Sequence, residues 1–304
     1  MANIWIHALG VCIGCIGVYL PRCYLSGLER TAAGGIWVEF QKHWFWKTLA
    51  RWLFNDCKVV VEEPEKLRAC KQGILAAAPH GVVSFNHAIF MTDVAGWFSD
   101  KVWPVDRRDL AASVVFKVPG YRELLMWTGN VDASAAVARK VLNSGRSLFV
   151  YPGGEAEQMR AAPGRHVAFW KTRKGFVKLA VEFGLPLIPA YSFGENDMYL
   201  PSGFLLKQRL WLCDKAHVAV PLVFGRSWLA PLLPRKVSLV AVIGEPMAVP
   251  KVARDDANFD ATVDKVHAEF CGRLVLLFDR HKAQYATADA VLEIIGGEER
   301  PKKD

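Results

Sequence analysis

An α/β fold is predicted for this chain of 304 residues, because short apolar runs alternate with helix-patterned stretches from about Cys57 onward. The apolar runs predict strands at 58–61, 74–78, 147–151, 187–193 and 237–243. The stretches between them predict helices near 82–97, 119–127, 132–143, 173–183 and 259–285. Gly184 followed by Pro186 marks a helix stop before the fourth strand. The length suffices for one large domain or two small ones.

The composition favours a membrane surface as a partner. Hydrophobic residues make up 52% of the chain and charged residues 22%, and there are eleven tryptophans and a formal charge of +8. A positive charge suits nucleic acid or an anionic membrane, but long Lys/Arg runs typical of nucleic-acid tails are missing, so nucleic acid is not expected. Seven scattered cysteines, an odd number, fit a reducing compartment and argue against a disulfide framework.

Residues 1–56 are predicted to form a membrane-associated helical segment. The run 4–20 carries no formal charge, and its seventeen residues would rise about 25 Å as a helix, against roughly 30 Å for a bilayer core. It could span the bilayer or lie half-inserted. The bases that follow favour a cytoplasmic location for the rest of the chain. Aromatic residues interleaved with bases over 37–54 predict an interfacial helix, with a core-packing helix as the alternative.

His80 is the first candidate catalytic residue. It follows the buried apolar run 74–78 directly after Pro79, which stops the strand, and Gly81 permits a tight turn into the next helix. Open α/β sheets place their chemistry outside the carboxyl ends of strands. A capping or core-filling role is the alternative for a single histidine.

Three more groups follow strands or open helices. Gly153 and Gly154 end the third strand, where their N–H groups could hold an oxyanion or a phosphate, or simply form a turn. Arg173 and Lys174 belong to a basic cluster at a helix start, which suits a polyphosphate. The alternatives are a solvated face or a structural role in which the two side chains cap loops around the helix start. Glu195 ends the fourth strand, plausibly on the same rim as His80, where a carboxylate could orient an imidazole. A solvated acid in a surface turn is the alternative for Glu195.

Several of these motifs together resemble a known family. The run 173–196 is similar to the signature block of the type 2 diacylglycerol acyltransferases, which include monoacylglycerol and wax-alcohol acyltransferases. The tripeptide 79–81 resembles the family's proposed active-site tetrapeptide, although Ala78 stands where His is common, and 151–157 resembles its Gly-Gly-x-x-Glu segment. The resemblance covers roughly residues 40–285.

The resemblance implies a glycerolipid-acyltransferase-like mixed sheet flanked by helices, with the acyltransferase domain in 57–304. It implies His80 as general base, and we assign Glu195 as its orienting carboxylate. Backbone donors near Gly81, Gly153 and Gly154 would bind the oxyanion, and Arg173 and Lys174 would bind the CoA phosphates.

The resemblance also implies the substrates and the location of the protein. Acyl-CoA would be the co-substrate and diacylglycerol or a related lipid alcohol the acceptor, with no cofactor and no metal. The protein would sit in the endoplasmic reticulum membrane facing the cytosol, with lipid droplets as a further location. Whether it forms a homo-oligomer is left open by the sequence.

Two other functional classes can be compared with the sequence. A non-catalytic lipid-binding protein on the same scaffold stays an alternative, because fold does not dictate function. A serine hydrolase is disfavoured, because Ser84, Ser134 and Ser192 lack the glycines of a G-x-S-x-G turn. Within acyl transfer, monoacylglycerol or a long-chain alcohol is the alternative acceptor.

Overall fold

The computed structural model describes residues 14, 17, 19, 21, 25–216 and 219–296. The predicted membrane segment 4–20 therefore lies mostly outside the described residues. Within the residues that are described, no helix is both long enough and apolar enough to cross a bilayer.

The central element is a seven-stranded mixed sheet with the strand order β1-β10-β7-β2-β5-β3-β4. The described strands are β1 (Asp56–Val61), β2 (Ile74–Ala78), β3 (Arg107–Ala111), β4 (Asn130–Asp132), β5 (Ser147–Val150), β6 (His166–Ala168), β7 (Leu187–Phe193), β8 (Leu200–Pro201), β9 (Val223–Phe224), β10 (Ser238–Ile243) and β11 (Leu292–Ile294). Strand β2 runs parallel to both β5 and β7, whereas β10 runs antiparallel to β7. Strand β6 pairs with β11, and β8 with β9, outside the main sheet.

Helices cover both faces of the sheet. The described helices are α1 (Val38–Gln41), α2 (Phe45–Leu53), α3 (Pro64–Ala69), α4 (Phe85–Met91), α5 (Tyr121–Trp127), α6 (Ala135–Asn143), α7 (Gly154–Gln158), α8 (Gly175–Phe183), α9 (Leu206–Ala216) and α10 (Phe259–Tyr285). Short 3-10 helices occur at Leu28–Arg30, Val115–Lys117 and Glu195–Asp197.

Two hydrophobic clusters, one on each face, hold the helices to the sheet. Helices α6, α8 and α10 contribute to the first cluster, and helices α2 and α4 to the second. Every residue of β2 and β7 is buried, because these central strands are covered on both faces. This is why they appear in the sequence as continuous apolar runs rather than as alternating patterns.

The predicted α/β class with a mixed sheet is confirmed. The five predicted strands and the helix 259–285 are present with boundaries within two residues. The predicted helix 82–97 is shorter than expected: it starts only after Ser84, whose φ is +62°, and it ends at Met91, before Thr92 turns extended. The sequence did not predict β3 or β4, because the charged residues of β3 hide its burial.

The predicted single helix over 37–54 is in fact two helices, α1 and α2. The indole N–H of Trp46 donates to the carbonyl of Phe40 at 2.7 Å and folds α2 back on α1. One side of α2 is buried through Ala50 and Leu53, while Trp52 is exposed. The core-packing alternative is thus partly confirmed, whereas the interfacial position of this segment stays a prediction. The proposed boundary between residues 56 and 57 stays a prediction.

Candidate active site

Three predicted site residues follow strands that end at one edge of the sheet. Strands β7, β2 and β5 are neighbours and run parallel, so their carboxyl ends meet there. His80 follows β2, Gly153 follows β5 and Glu195 follows β7. The expectation that Glu195 lies on the same rim as His80 agrees with this topology.

The imidazole of His80 is held by its neighbour in the chain. Its Nδ1 lies 3.0 Å from the carbonyl oxygen of Gly81. Because a carbonyl can only accept, Nδ1 carries the proton, and Nε2 has a free lone pair for a substrate proton. Burial lowers the pKa of His80, so the ring is neutral at pH 7. The ring also packs edge-on against Tyr151, with centroids 5.4 Å apart. The side chain therefore meets the chemical requirements of a general base.

The backbone of His80 is clamped by Glu157, a residue for which the sequence suggested no role. The carboxylate of Glu157 accepts the N–H of His80 at 2.6 Å and the N–H of Phe169 at 2.8 Å. Burial raises the pKa of Glu157 to about 7. The carboxylate thus ties the strand end that carries the base to a segment from later in the chain.

Glu195 fixes the start of helix α4 rather than the ring of His80. Its two oxygens accept the N–H groups of Phe85 at 3.1 Å and Asn86 at 2.7 Å. The amide of Asn86 in turn donates to the carbonyl of Pro79 at 2.6 Å. The orienting role predicted for Glu195 is therefore taken by the carbonyl of Gly81. Glu195 holds the loop that carries the base, and burial raises the pKa of its carboxyl group to about 8.

Two glycines make room for these carboxylates. A Cβ on Gly81 would lie 2.1 Å from an oxygen of Glu195, and a Cβ on Gly153 would lie 2.0 Å from the carboxylate of Glu157. Gly154 has a φ of +47° and opens helix α7. An oxyanion-binding role for these backbone N–H groups stays a prediction, whereas the need for glycine at 81 and 153 has a visible steric cause.

Arg173 and Lys174 both have protein partners. Arg173 lies 3.3 Å from the carboxylate of Glu155, and Lys174 lies 2.9 Å from that of Asp264 on helix α10. These pairs correspond to the structural alternative for the basic cluster. Arg173 reaches the active-site edge, because its partner Glu155 lies in helix α7, which directly follows Gly153 at the end of β5. Lys174 is tied to α10 instead.

Beside His80 lies a second histidine that sequence analysis assigned no role. The Nε2 of His87 is 3.0 Å from the carboxylate of Asp109, which also lies 2.7 Å from the guanidinium of Arg107. The ring of His87 stacks on Phe149. Burial opposes ionisation of Asp109, but the charge of Arg107 and the hydrogen bond from His87 lower its pKa on balance. His87, Asp109 and Arg107 thus form a buried polar network next to His80.

The hydroxyl of Tyr151 is a further polar group that the sequence did not single out. It is buried, and among the described residues no hydrogen-bond partner satisfies it. Burial also raises the pKa of this phenol, so it keeps its proton and remains a donor. Its ring touches both His80 and His87.

The two buried carboxyl groups predict a pH dependence of stability. In the unfolded chain they titrate near their ordinary pKa of about 4.3, whereas in the fold the pKa values are about 7 for Glu157 and about 8 for Glu195. The folded state therefore binds more protons over this interval, and the free energy of unfolding should fall as the pH rises from 5 to 8.

Glu195→Gln should flatten that fall, which denaturant unfolding at several pH values would measure. The control is Glu65→Gln on helix α3, whose side chain is 89% exposed. If the free energy of unfolding of Glu195→Gln depended on pH as steeply as that of the wild type, the raised pKa of Glu195 would be contradicted.

Together, the fold and the site define an α/β protein with a neutral histidine at the edge of its sheet where the strands β7, β2 and β5 end. The chain belongs to the diacylglycerol acyltransferase family: residues 34–295 match the family described as "Diacylglycerol acyltransferase". The resemblance seen in the sequence motifs is thereby confirmed.

Individual relatives agree with this membership. The chain is 34% identical over 222 residues to "Diacylglycerol O-acyltransferase 2" of Dictyostelium discoideum, covering 70% of this chain and 66% of that protein. It is 33% identical over 233 residues to "Acyl-CoA wax alcohol acyltransferase 2" of Mus musculus, covering 71% of this chain and 67% of that protein. The chain thus spans about two thirds of the length of these relatives. A crystal structure of the 1-acyl-sn-glycerophosphate acyltransferase PlsC from Thermotoga maritima is 20% identical and covers 74% of this chain and 75% of its own, with a TM-score of 0.43.

Proposed function

We propose that this protein transfers a fatty acyl group from acyl-CoA to the hydroxyl of diacylglycerol and so makes triacylglycerol. The observation that carries the proposal is the state of His80: a neutral ring with its proton on Nδ1 and its lone pair on Nε2. Membership of the family, together with relatives named as diacylglycerol and wax alcohol acyltransferases, supports the reaction type.

The proposed reaction uses the imidazole of His80 as its general base. Nε2 of His80 takes the proton of the lipid hydroxyl, and the hydroxyl oxygen forms a bond to the thioester carbonyl carbon. The tetrahedral intermediate then expels the CoA thiolate, which takes the proton back from His80. The carbonyl of Gly81 stabilises the imidazolium through its bond to Nδ1. N–H groups near Gly81, Gly153 and Gly154 are proposed to stabilise the oxyanion.

The acceptor alcohol separates the main proposal from its alternatives. The relative named as a wax alcohol acyltransferase makes a long-chain alcohol the first alternative, and monoacylglycerol is the second. Expression of the chain in cells without neutral-lipid synthesis, followed by lipid analysis, decides among them. Triacylglycerol is the expected product. Wax ester would support the alcohol alternative. Folded protein that produces no neutral lipid would support the alternative of a lipid-binding protein without catalysis.

The proposed place of action is the endoplasmic reticulum membrane, with lipid droplets as a further location. Exposed indoles at the start and end of helix α2 support an interfacial position, because tryptophan favours the headgroup region. Trp44 is 70% exposed and Trp52 is 55% exposed. Insertion of the run 4–20 belongs to the same proposal.

Arg173 and Lys174 offer a matched test of the acyl-CoA site. Arg173→Gln should raise the KM for acyl-CoA about tenfold with little change in kcat, because a charge that binds phosphate contributes to binding before the chemical step. Lys174→Gln removes the same charge next to Asp264 and should change KM little. Steady-state kinetics with varied acyl-CoA measure both. Equal effects in the two variants would contradict a CoA contact that is specific to Arg173.

A further inference from the structure

The loop 225–233 carries an apolar surface that the active site does not use. The side chains of Trp228, Leu229 and Leu232 are 79%, 75% and 72% exposed. Large apolar groups exposed together in this way mark a surface for a partner or a membrane.

Hydrogen bonds hold the backbone of this loop in place, so its exposed side chains do not belong to a loose segment. The N–H of Gly225 donates to the carbonyl of Pro231 at 2.8 Å, and the N–H of Arg226 donates to that of Leu233 at 2.7 Å. The hydroxyl of the buried Tyr199 donates to the carbonyl of Leu232 at 2.7 Å. The backbone is therefore fixed from both sides, with the apolar side chains of its tip directed outward.

The loop is continuous with the exposed indole of helix α2. The guanidinium of Arg226 lies 5.7 Å from the ring centroid of Trp52 and donates to the carbonyl of Leu53 at 2.8 Å. Two elements about 170 residues apart in the sequence thus form one surface. We call it the Trp52–Trp228 surface and define it by Trp52, Trp228, Leu229 and Leu232.

The two chain segments that form this surface are basic. The segments 42–55 and 222–236 together contain six Lys or Arg and no Asp or Glu. Lys42, Arg51, Arg235 and Lys236 are exposed. Exposed aromatic and aliphatic groups on segments that also carry exposed bases match a bilayer with anionic headgroups. A second copy of the same surface would instead meet like charges.

The surface also adjoins the loop that carries the base. The ring of Phe85 packs between Phe54, at 5.8 Å, and Tyr199, at 6.4 Å. Phe54 follows helix α2, and Tyr199 holds the 225–233 loop. The N–H of Phe85 is one of the two groups bound by Glu195.

From these contacts we infer that the Trp52–Trp228 surface is a second membrane-binding site, separate from the N-terminal run, which seats the catalytic edge on an anionic bilayer. The inference does not require acyl transfer. A catalytically inactive chain would still bind in this way.

Quenching of tryptophan fluorescence by lipids with brominated acyl chains tests this inference on the full chain. The vesicles contain phosphatidylcholine and phosphatidylserine, with or without bromine. The emission of Trp228, taken as the difference between wild type and Trp228→Phe, should fall at least twofold in brominated vesicles. The control is Trp103→Phe, because Trp103 is 3% exposed and its contribution should not change.

A pair of double variants tests the neighbouring leucines by the same readout. Leu229→Ser/Leu232→Ser should reduce the quenching of Trp228 by about half or more. The control is the double variant Leu276→Ser/Val291→Ser, whose residues are exposed on α10 and after its C-terminal end, on the other side of the sheet. This variant should leave the quenching of Trp228 unchanged.

Three results would overturn the inference. The first is equal Trp228 emission in plain and brominated vesicles. The second is equal quenching with and without phosphatidylserine at low salt, which would remove the anionic bilayer as the partner. The third is an unquenched Trp228 together with a change in particle mass on Leu229→Ser/Leu232→Ser, which would make the surface a contact between copies of the chain.

Discussion

His80→Ala is expected to lower the turnover number by about 10²–10⁴-fold, which is the contribution of a positioned general base. Stability should change little, because the hydrogen bond of the ring runs to the carbonyl of the adjacent Gly81. The clamp on the backbone N–H of residue 80 is retained in the variant. The measurement is transfer of labelled acyl groups from acyl-CoA to diacylglycerol, with thermal unfolding followed in parallel.

His43→Ala is the control, because His43 is an exposed histidine on the described surface. The wild-type pH profile gives a second readout. Since burial lowers the pKa of His80, the acid limb of kcat/KM should lie below the ordinary histidine pKa of about 6.5. The limb should disappear in His80→Ala. Near-wild-type turnover in that variant would show that His80 is not the general base.

Gly81→Ala is expected to lower both stability and turnover, although it adds only a methyl group. The φ of +68° at residue 81 is strained for alanine, at a cost of about 1–2 kcal/mol. The new Cβ would also lie 2.1 Å from an oxygen of Glu195. Because that carboxylate is buried and bound to two N–H groups, it has no room to withdraw. The loop must shift, and a shift near 1 Å can cost about 10²-fold in rate.

Gly145→Ala separates the steric effect from the backbone strain. The φ of Gly145 is +79°, but no atom lies within 4 Å of its Cβ position. This control should lose about 1–2 kcal/mol of stability and keep its turnover. Chemical denaturation and kcat/KM measure the two effects. If Gly81→Ala and Gly145→Ala lost stability and turnover to the same extent, the contact between residue 81 and Glu195 would not matter for function.

The central strands could be predicted because burial on both faces left them entirely apolar. Strand β3 could not, since the side chains of Arg107 and Asp109 are charged in sequence but only 7% and 2% exposed in the fold. They become compatible with the core only through partners elsewhere in the chain, such as His87 and the carbonyl of Phe90. Single-sequence patterns carry no information about such pairing.

The edge that holds the site was predictable, but its hydrogen bonds were not. The strand-and-helix pattern predicts that site residues follow the carboxyl ends of strands, and the observed strand order brings residues 80, 153 and 195 to one edge. Which N–H group a carboxylate accepts depends on shifts of about an ångström in a loop. For this reason the sequence assigned Glu195 to the imidazole, while the structure gives it to helix α4. Glu157 was visible in its motif, yet its contact with His80 crosses 77 residues.

That separation has a consequence during synthesis. The two acidic residues that hold the catalytic loop lie far downstream, and the later of them reaches back across 110 residues to Phe85. A nascent chain therefore has no positioned imidazole until residue 195 has left the ribosome and docked. Chains that end before residue 195 should therefore neither consume thioester nor hydrolyse it.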